Sequence, residues 1–511
     1  MNTALMIVAI VLYMAFVVYI GIAFSKKNKS TDDFYLGGRK LGPLVTAMSA
    51  EASDMSSWLL MGLPGVALLV GGFAEAFWTA LGLAVGTYVN WLIVARKIRK
   101  YTAKTNSNTL PDFFSDRFGD KRAILSTIAA VVIIVFFVPY TASGFSAMGK
   151  LFNTLFDIDY HLAMIIAGII ITAYTVLGGF LAASTTDFIQ SIVMTLALFV
   201  VVIYGVVNAG GFASVVDNAT NAATLSGLSG AFSLTGGDGS YGFIPIVSTL
   251  AWGLGYFGMP HILLRFMAIE DDRKLTLSRR VASIWVVISM AVAIFIGIVG
   301  FSFALKNGLF LEKGFDSERI VIYISEAIKN INGFWAFIAG IIISGILAST
   351  MSTADSQMLA AASSVSENIV KKHFAKDMKE KTQMWVARGA VLVIALISIF
   401  IAWNEESSVF RIVSFAWAGF GAAFGPLVLA ALFWKRTNLW GALAGMVSGG
   451  VVVFVWKYVI RPLGGAWDIY ELLPAFIVSC IAIVAVSLLT AKPDEEIERT
   501  FDEVTAEMKV K

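Results

Sequence analysis

Long apolar runs dominate this sequence and restrict what it can fold into. A helix needs about 20 mainly apolar residues to cross the hydrocarbon core of a bilayer. Only 14% of the 511 residues are charged, against about 25% in soluble domains. The composition therefore predicts an all-α integral membrane protein with about thirteen transmembrane helices. The runs lie near 4–24, 44–70, 73–95, 123–148, 161–180, 187–208, 243–264, 281–304, 334–366, 385–403, 409–434, 438–459 and 471–491.

Lysine and arginine residues concentrate in every second connection between these runs. If the N-terminus lies outside, the inside segments hold 30 of the 38 basic residues. Short cytoplasmic loops are richer in Lys and Arg than external ones. We therefore expect a multi-pass protein of the cell membrane, with the N-terminus outside and the C-terminus in the cytoplasm. The inside segments are 25–43, 96–122, 265–280, 371–388, 435–436 and 492–511, the last a short helix or a disordered tail.

Two runs carry features that an ordinary membrane helix lacks. The second contains "SAEASDMSSW", with Glu51 and Asp54. The seventh, "GFIPIVSTLAWGLGYFGMPHILL", is interrupted by glycines and prolines. A charged group at the centre of a membrane helix costs about 2.5–3.5 kcal/mol on insertion scales, so it persists mainly where it faces a cavity or a partner. Glu51 and Asp54 could instead cap the ends of a broken helix, which in mid-membrane also implies a cavity.

The ninth run ends in a stretch rich in hydroxyl residues. Ser349, Ser352, Thr353 and Ser356 recur at the spacing of one helix face, with Asp355 beside them. Such residues often serve only helix packing, bonding the carbonyl four residues earlier. A row of oxygens on one face also suits a hard cation, and an unwound helix can supply further carbonyl oxygens.

The interrupted second and seventh runs each begin a block of five spans, 44–208 and 243–434. Because five is odd, the two blocks enter the membrane from opposite sides, which is typical of inverted repeats in secondary transporters. We therefore predict a transporter with cation and solute sites between the second, seventh and ninth spans. The predicted units are residues 1–30, the first helix; 31–242, the first repeat with an external loop; 243–436, the second repeat; 437–491, two peripheral helices; and 492–511, the tail.

A chain of motifs resembles the sodium/proline symporter branch of the sodium/solute symporter family. These motifs are "LGGRKLGP", "TAMSAEASDMSSWLLMGLPG", "LPDFFSDRF", "GGFLAASTTDFIQ", "WGLGYFGMPHILLRFMA", "MSTADSQML", "AWAGFGAAFGPLVL" and "GALAGMVSG". The resemblance implies a leucine-transporter-like fold with a core of two inverted five-helix repeats, alternating access, and Na+ as the coupling ion. It implies import of a small amino acid, most directly L-proline. The alternative is another small organic solute carried with sodium or protons.

The resemblance also implies which residues bind the two ligands. Sodium would be held by the carbonyls of Ala52, Met55 and Ser349 and the hydroxyls of Ser352 and Thr353. Asp54 would couple sodium to transport, and Asp187 would lie on the route of the cation to the cytoplasm. The solute pocket would contain Ser56, Tyr140, Trp252, Tyr256 and Pro260, whose aromatic faces can attract an ammonium group.

The sequence departs from the family pattern at four positions near these sites. Glu51 and Ser57 stand where glycines are expected, Met259 where glutamine is expected, and Asp355 where serine is expected. Glu51 and Asp355 add carboxylates close to the expected cation route. We hypothesise that these two form an extra cation or proton site, or support a solute with an extra donor.

Other classes of protein fit the sequence less well. The three histidines, His161, His261 and His373, lie in separate segments, and no HExxH, GxSxG or paired-cysteine pattern occurs. We therefore expect no enzymatic activity and no catalytic residues, with His261 as a local hydrogen-bonding residue. A channel would require a continuous pore, and no TVGYG filter is present. The expected partners are the solute and the bilayer, without nucleic acid, and the chain is expected to act as a monomer.

Overall fold

The computed structural model describes residues 1–25, 31–69, 72–222, 232–236, 241–311 and 314–508. The predicted unit boundary at residue 30, the end of the second run at residue 70 and the middle of the external loop lie outside these residues. Within them, helices account for nearly all regular structure, and the β-structure consists of one isolated bridge between Leu41 and Ile269. The expected all-α fold is confirmed.

Most of the predicted runs are continuous membrane-length helices. Ten helices of the described residues are long and apolar enough to cross a bilayer, and a bent pair, Phe243–Gly258 with Pro260–Ala268, makes an eleventh span. The ten are Asn2–Phe24, Gly72–Thr105, Ile124–Phe156, Tyr160–Asn208, Asp272–Lys306, Gly333–Phe374, Glu380–Ile401, Val409–Phe433, Leu439–Leu463 and Leu472–Leu489.

The helix Tyr160–Asn208 contains the fifth and sixth predicted spans. Its 49 residues would extend for about 74 Å at 1.5 Å per residue, more than twice the thickness of a bilayer core. The helix breaks at Gly179, whose φ of 66° and ψ of −176° are not helical. Tyr174 Oη bonds Thr186 Oγ1 across this break, although these residues would be about 18 Å apart in a straight helix. The chain therefore bends sharply at Gly179, and the segment forms two spans.

The second span is broken at the residues that the sequence singled out. Helix Pro43–Ser57 leaves helical geometry at Ser56, one residue before its end, where φ is 42° and ψ is −171°. A π-helical turn, Trp58–Gly62, and a short helix, Leu63–Leu68, follow. Each piece is too short to cross a membrane alone. Together with the divided segment above, this broken span brings the number of spans to the thirteen predicted.

The seventh span is broken as well and packs closely on the third. Helix Phe243–Leu250 runs into a 3-10 turn, Ala251–Gly258, and the chain bends by 44° before Pro260–Ala268. A Cβ atom on Gly253 would lie 2.2 Å from the carbonyl oxygen of Gly82 in the third span. Only glycine permits this backbone contact, which fixes the break in the seventh span against the third span.

The structure corrects one expectation about the connections and decides between two alternatives for the tail. The inside segment predicted to begin at residue 265 begins later, because Arg265 lies in helix Pro260–Ala268 with its side chain buried. The tail forms helix Glu495–Glu507.

Further helices outside the thirteen spans are Thr31–Leu36, Gly37–Arg39, Leu110–Phe118, Phe212–Thr220, Leu309–Leu311, Ser317–Arg319, Ile320–Lys329 and Gly465–Trp467.

Candidate functional site

The breaks in the second and seventh spans lie side by side. Tyr256, in the 3-10 turn of the seventh span, donates its hydroxyl to Asp54 Oδ2 at 2.6 Å. Tyr140 of the fourth span donates to the backbone carbonyl of Asp54 at 3.0 Å. Asn90, at a π-helical turn of the third span, donates to the carbonyl of Tyr256 at 3.0 Å. Asp54 is thus held by two tyrosines where both helices leave regular geometry.

A small cavity lies beside this contact. Its lining consists of Asp54, Met55, Trp58, Leu83, Tyr140, Trp252, Val413 and Trp417. Asp54 is the one carboxylate among these residues, and aromatic rings form much of the wall. Aromatic faces and a single acid suit a small, partly apolar molecule that carries an ammonium group.

Trp252 is fixed within a cluster of aromatic rings. Its ring centroid lies 5.2 Å from that of Tyr470 and 5.3 Å from that of Phe410. Trp417 Nε1 donates to its carbonyl at 2.7 Å. Three of the five predicted pocket residues do not line the cavity. Tyr256 lies behind Asp54 and donates to it, the Ser56 hydroxyl accepts from the Trp58 amide at 3.1 Å, and Pro260 begins the helix after the break.

The predicted sodium ligands lie together between the second and ninth spans. Ser352 Oγ donates to the carbonyl of Ala52 at 2.8 Å and to that of Ser349 at 3.2 Å. Thr353 Oγ1 donates to the carbonyl of Ser349 at 3.1 Å, and Met55 follows Ala52 by one helical turn. These hydroxyl and carbonyl oxygens are of the type that a hard cation prefers. In the described part of the chain, no group of three or more His, Cys, Asp or Glu side chains could hold a metal ion.

Asp187 belongs to a buried ionic cluster next to this set. Arg265 Nη2 donates to Asp187 Oδ2 at 3.1 Å and to Ser356 Oγ at 2.5 Å. Ser49 bridges the pair, donating to Asp187 Oδ2 at 2.6 Å and accepting from Arg265 Nε at 3.0 Å. The cluster joins the second, sixth, seventh and ninth spans.

Arg265 is the site residue that the sequence interpretation missed, because it was counted in a cytoplasmic loop. Its side chain is 1% exposed. The signal was available: an arginine five residues after Pro260, in a continuing apolar run, requires a buried partner. The interpretation of His261 is also incorrect. Both of its ring nitrogens lack a hydrogen-bond partner among the described residues, and its carbonyl accepts from Arg265 Nη1 at 3.0 Å.

The two unexpected carboxylates make contacts on different spans. Glu51 Oε1 accepts from Trp91 Nε1 at 2.8 Å and from Thr87 Oγ1 at 3.2 Å, both on the third span. Asp355 Oδ1 accepts from Ser356 Oγ at 3.1 Å, and Ser356 Oγ in turn accepts from Arg265 Nη2 at 2.5 Å. Glu51 thus contacts the third span and Asp355 the cluster around Arg265.

Comparison with known proteins identifies relatives along nearly the whole chain. Residues 34–449 match the model of the sodium:solute symporter family. The sodium/proline symporter of Haemophilus influenzae is 41% identical, with 97% of each chain covered. The sodium/proline symporter of Escherichia coli is 40% identical, with 98% of this chain and 96% of the relative covered. The osmoregulated proline transporter OpuE of Bacillus subtilis is 39% identical, with 97% of each covered.

Solved structures confirm the fold. A Na+-coupled sialic acid symporter in a substrate-bound outward-open state superposes with a TM-score of 0.76 at 18% identity, covering 96% of this chain and 99% of that one. Mhp1, a nucleobase-cation-symport-1 family transporter in a closed conformation, superposes with a TM-score of 0.56 at 13% identity, covering 92% of this chain and 98% of that one. The chain therefore has the leucine-transporter-like helical fold that the motifs implied.

Proposed function

The chain belongs to the sodium:solute symporter family, and we propose that it imports proline together with sodium. The observation that carries the proposal is the aromatic cavity beside Asp54, at the junction of two broken spans. The choice of proline follows from relatives at about 40% identity that are named sodium/proline symporters. Because the family and these relatives are transporters, the membrane-enzyme alternative is excluded.

The geometry supports a definite placement of the solute. The ammonium group of proline would lie near Asp54 and the faces of Trp58 and Trp252, because an aromatic face and a carboxylate both attract a cation. The apolar pyrrolidine ring would pack against Leu83 and Val413. Tyr140 and Tyr256 hold Asp54 in position from two other spans. Ser56 and Pro260 shape the pocket through the backbone breaks they occupy.

The oxygens between the second and ninth spans would bind the sodium ion. The carbonyls of Ala52, Met55 and Ser349 and the hydroxyls of Ser352 and Thr353 are its proposed ligands. Sodium would replace the hydrogen bonds that now join these groups, and so tie the second span to the ninth. One sodium entering at −100 mV contributes about 2.3 kcal/mol from the field alone. Coupling requires sodium to favour the state that binds the solute.

Asp54 connects the two ligands in this proposal. Its side chain lines the solute cavity, while its neighbours Ala52 and Met55 supply carbonyls to sodium. Asp187 would receive the sodium ion as it leaves toward the cytoplasm. The proposed transport unit is one chain, with inverted repeats at 31–242 and 243–436, an outside N-terminus and a cytoplasmic tail.

In this proposal Glu51 binds a second cation, sodium or a proton, in addition to the sodium ion between the second and ninth spans. Its Oε2 is buried without a partner in the described residues, and Asp54 lies three residues away on the same helix. Replacing Glu51 by Gln should then lower the number of cations taken up per proline. This role would be contradicted if wild type and Glu51→Gln took up the same number of cations per proline and showed the same pH dependence of uptake. At Asp355 the nearest cation is the Arg265 guanidinium, from which the hydroxyl of Ser356 separates it.

Uptake of labelled proline into proteoliposomes tests the main proposal. An inward sodium gradient should drive accumulation, and an equal potassium gradient should not. Unlabelled proline should compete better than other amino acids and small organic solutes. Asp54→Asn serves as the inactive control, because it removes the carboxylate of the cavity at nearly constant size. Accumulation without sodium would refute sodium coupling. If another solute competed more strongly than proline, that solute would be the better candidate for the transported molecule.

A further inference from the structure

Two carboxylates, Asp187 and Asp355, lie near a single guanidinium inside the helical bundle, the first in direct contact and the second through one hydroxyl group. The side chains of the Arg265–Asp187 pair are 1% and 0% exposed, and Asp355 is also fully buried. Arg265 Nη2 donates to Asp187 Oδ2 and to Ser356 Oγ, and Ser356 Oγ donates to Asp355 Oδ1. One hydroxyl group therefore separates the guanidinium from the second carboxylate.

The charges of this cluster do not balance when all three groups are ionised. Two carboxylates and one guanidinium leave one negative charge, and burying an uncompensated charge is strongly unfavourable. Each acid also has one buried oxygen without a hydrogen-bond partner in the described residues, Oδ1 of Asp187 and Oδ2 of Asp355. The Asp187–Arg265 pair alone would be neutral. Asp355 therefore creates the demand for one more monovalent cation.

Building on the proposed function, we propose that Arg265 is a positioning residue that exchanges carboxylate partners during transport. Without sodium, the guanidinium pairs with Asp187, as it does here. When sodium reaches Asp187, the guanidinium passes the hydroxyl of Ser356 and pairs with Asp355. Every charge in the cluster then has a partner, Asp187 with sodium and Asp355 with Arg265.

The exchange would change which spans are tied together. In the present arrangement Arg265 joins the seventh span to the sixth through Asp187, to the second through Ser49 and to the ninth through the hydroxyl of Ser356. After the exchange the ion pair with the sixth span would be lost, and the link to the ninth span would become an ion pair with Asp355. The bond from Nη1 to the carbonyl of His261 lies within the same helix and can persist in both states. Arrival of sodium would thus loosen one contact across the bundle and strengthen another.

The sodium dependence of proline uptake by Asp355→Asn tests the exchange. This variant removes the charge at nearly constant size, so sodium at Asp187 would leave Arg265 without a carboxylate. We expect its sodium half-saturation to rise by roughly tenfold or more, and Asp355→Glu to restore the wild-type dependence. The effects of Arg265→Lys and Asp355→Asn should be non-additive in a double-mutant cycle. Glu318→Gln is the matched control, because this buried carboxylate pairs with Lys150 at 3.1 Å away from the cluster, and it should combine additively with Arg265→Lys.

Thermal unfolding of the purified protein in detergent, with increasing sodium and no proline, gives a second readout. Sodium should raise the unfolding temperatures of the wild type and of Asp355→Glu, and should raise that of Asp355→Asn only at higher concentrations. The unfolding temperatures without sodium show whether a substitution damages the fold. The exchange would be overturned if Asp355→Asn kept the sodium dependence of the wild type, or if its effect added to that of Arg265→Lys. It would also be overturned if sodium did not stabilise the wild type against unfolding. If the wild type takes up no proline with sodium, the proposed function fails, and the unfolding series still decides the exchange.

Discussion

At the scale of single residues, hydroxyl groups on the ninth span determine the proposed response to sodium. Ser352 and Thr353 contact backbone carbonyls of the second and ninth spans and do not line the solute cavity. Their side chains would therefore contribute to sodium binding without touching proline. This separation makes the two ligands distinguishable by mutation.

Replacing Ser352 and Thr353 together by alanine should weaken sodium binding more than proline binding. We expect the sodium half-saturation of uptake to rise by roughly tenfold or more, about 1.4 kcal/mol per tenfold. The half-saturation for proline, measured at saturating sodium, should change much less. Ser364→Ala is the control, because this buried hydroxyl bonds the carbonyl of Ala360 within its own helix. Equal changes for both ligands would place the sodium site elsewhere.

Glu51 also has a structural role that its sequence position does not reveal. It accepts hydrogen bonds from Trp91 and Thr87 and so ties the break in the second span to the third span. In Glu51→Ala two buried donors lose their acceptor, which costs about 1–3 kcal/mol for each unsatisfied group. We expect its unfolding temperature in detergent to fall below those of wild type and Glu51→Gln, whose amide oxygen can still accept. Equal loss in both variants would show that the charge, rather than the acceptor, stabilises the fold.

At the scale of helices, the tail helix Glu495–Glu507 docks on the predicted cytoplasmic face. Phe501 and Val504 are buried, and the cations of Lys97 and Arg117 lie 5.0 and 4.8 Å from the ring centre of Phe501. Lys104 pairs with Glu503 at 2.7 Å, and Lys435 pairs with Asp502 at 2.6 Å. An apolar centre with charged edges therefore holds the tail against the third span, helix Leu110–Phe118 and the connection after the eleventh span.

The ion pairs of this helix predict how its docking depends on pH. The hydrogen bond from Lys104 lowers the pKa of Glu503, so its contribution is present above the ordinary pKa, about 4.3, and is lost as pH falls through the lowered pKa. The bond to Asp502 raises the pKa of Lys435, so that contribution is present below about 10.4 and is lost at still higher pH. Docking should stay constant between about pH 5 and 10.

Hydrogen exchange of residues 495–507 would measure this docking. Exchange should be slow at pH 7 and faster near pH 3, after correction for the intrinsic pH dependence of the rate. Phe501→Ala should release the helix more than Lys104→Gln, because exposed ion pairs contribute little and the buried ring supplies most of the contact. Glu496→Gln, a change at an exposed side chain on the same helix, is the control. The account would be wrong if Lys104→Gln released the helix more than Phe501→Ala.

At the scale of the whole molecule, the sequence predicts the elements better than the contacts between them. Composition and periodicity are local properties of the sequence. They predict the thirteen spans, the breaks at Ser56 and after Leu250, and the shared helix face of Ser352 and Ser356. The partners of Glu51 on the third span and of Asp187 on the seventh are far away in sequence. Such pairing depends on how the spans pack, so Arg265 looked like one more cytoplasmic charge.

The distribution of Lys and Arg also predicts how the whole molecule is oriented in the membrane, because loops rich in these residues stay in the cytoplasm. Cys480 is the only cysteine, so Cys480→Ser gives a background for single exposed cysteines. In right-side-out vesicles a membrane-impermeant maleimide should label Asp217→Cys, in the loop helix after the sixth span, and should not label Lys121→Cys, in the loop before the fourth. Permeabilised vesicles, in which both should react, are the control. Labelling of Lys121→Cys alone in intact vesicles would reverse the topology and place Asp187 and Arg265 on the external side of the sodium site.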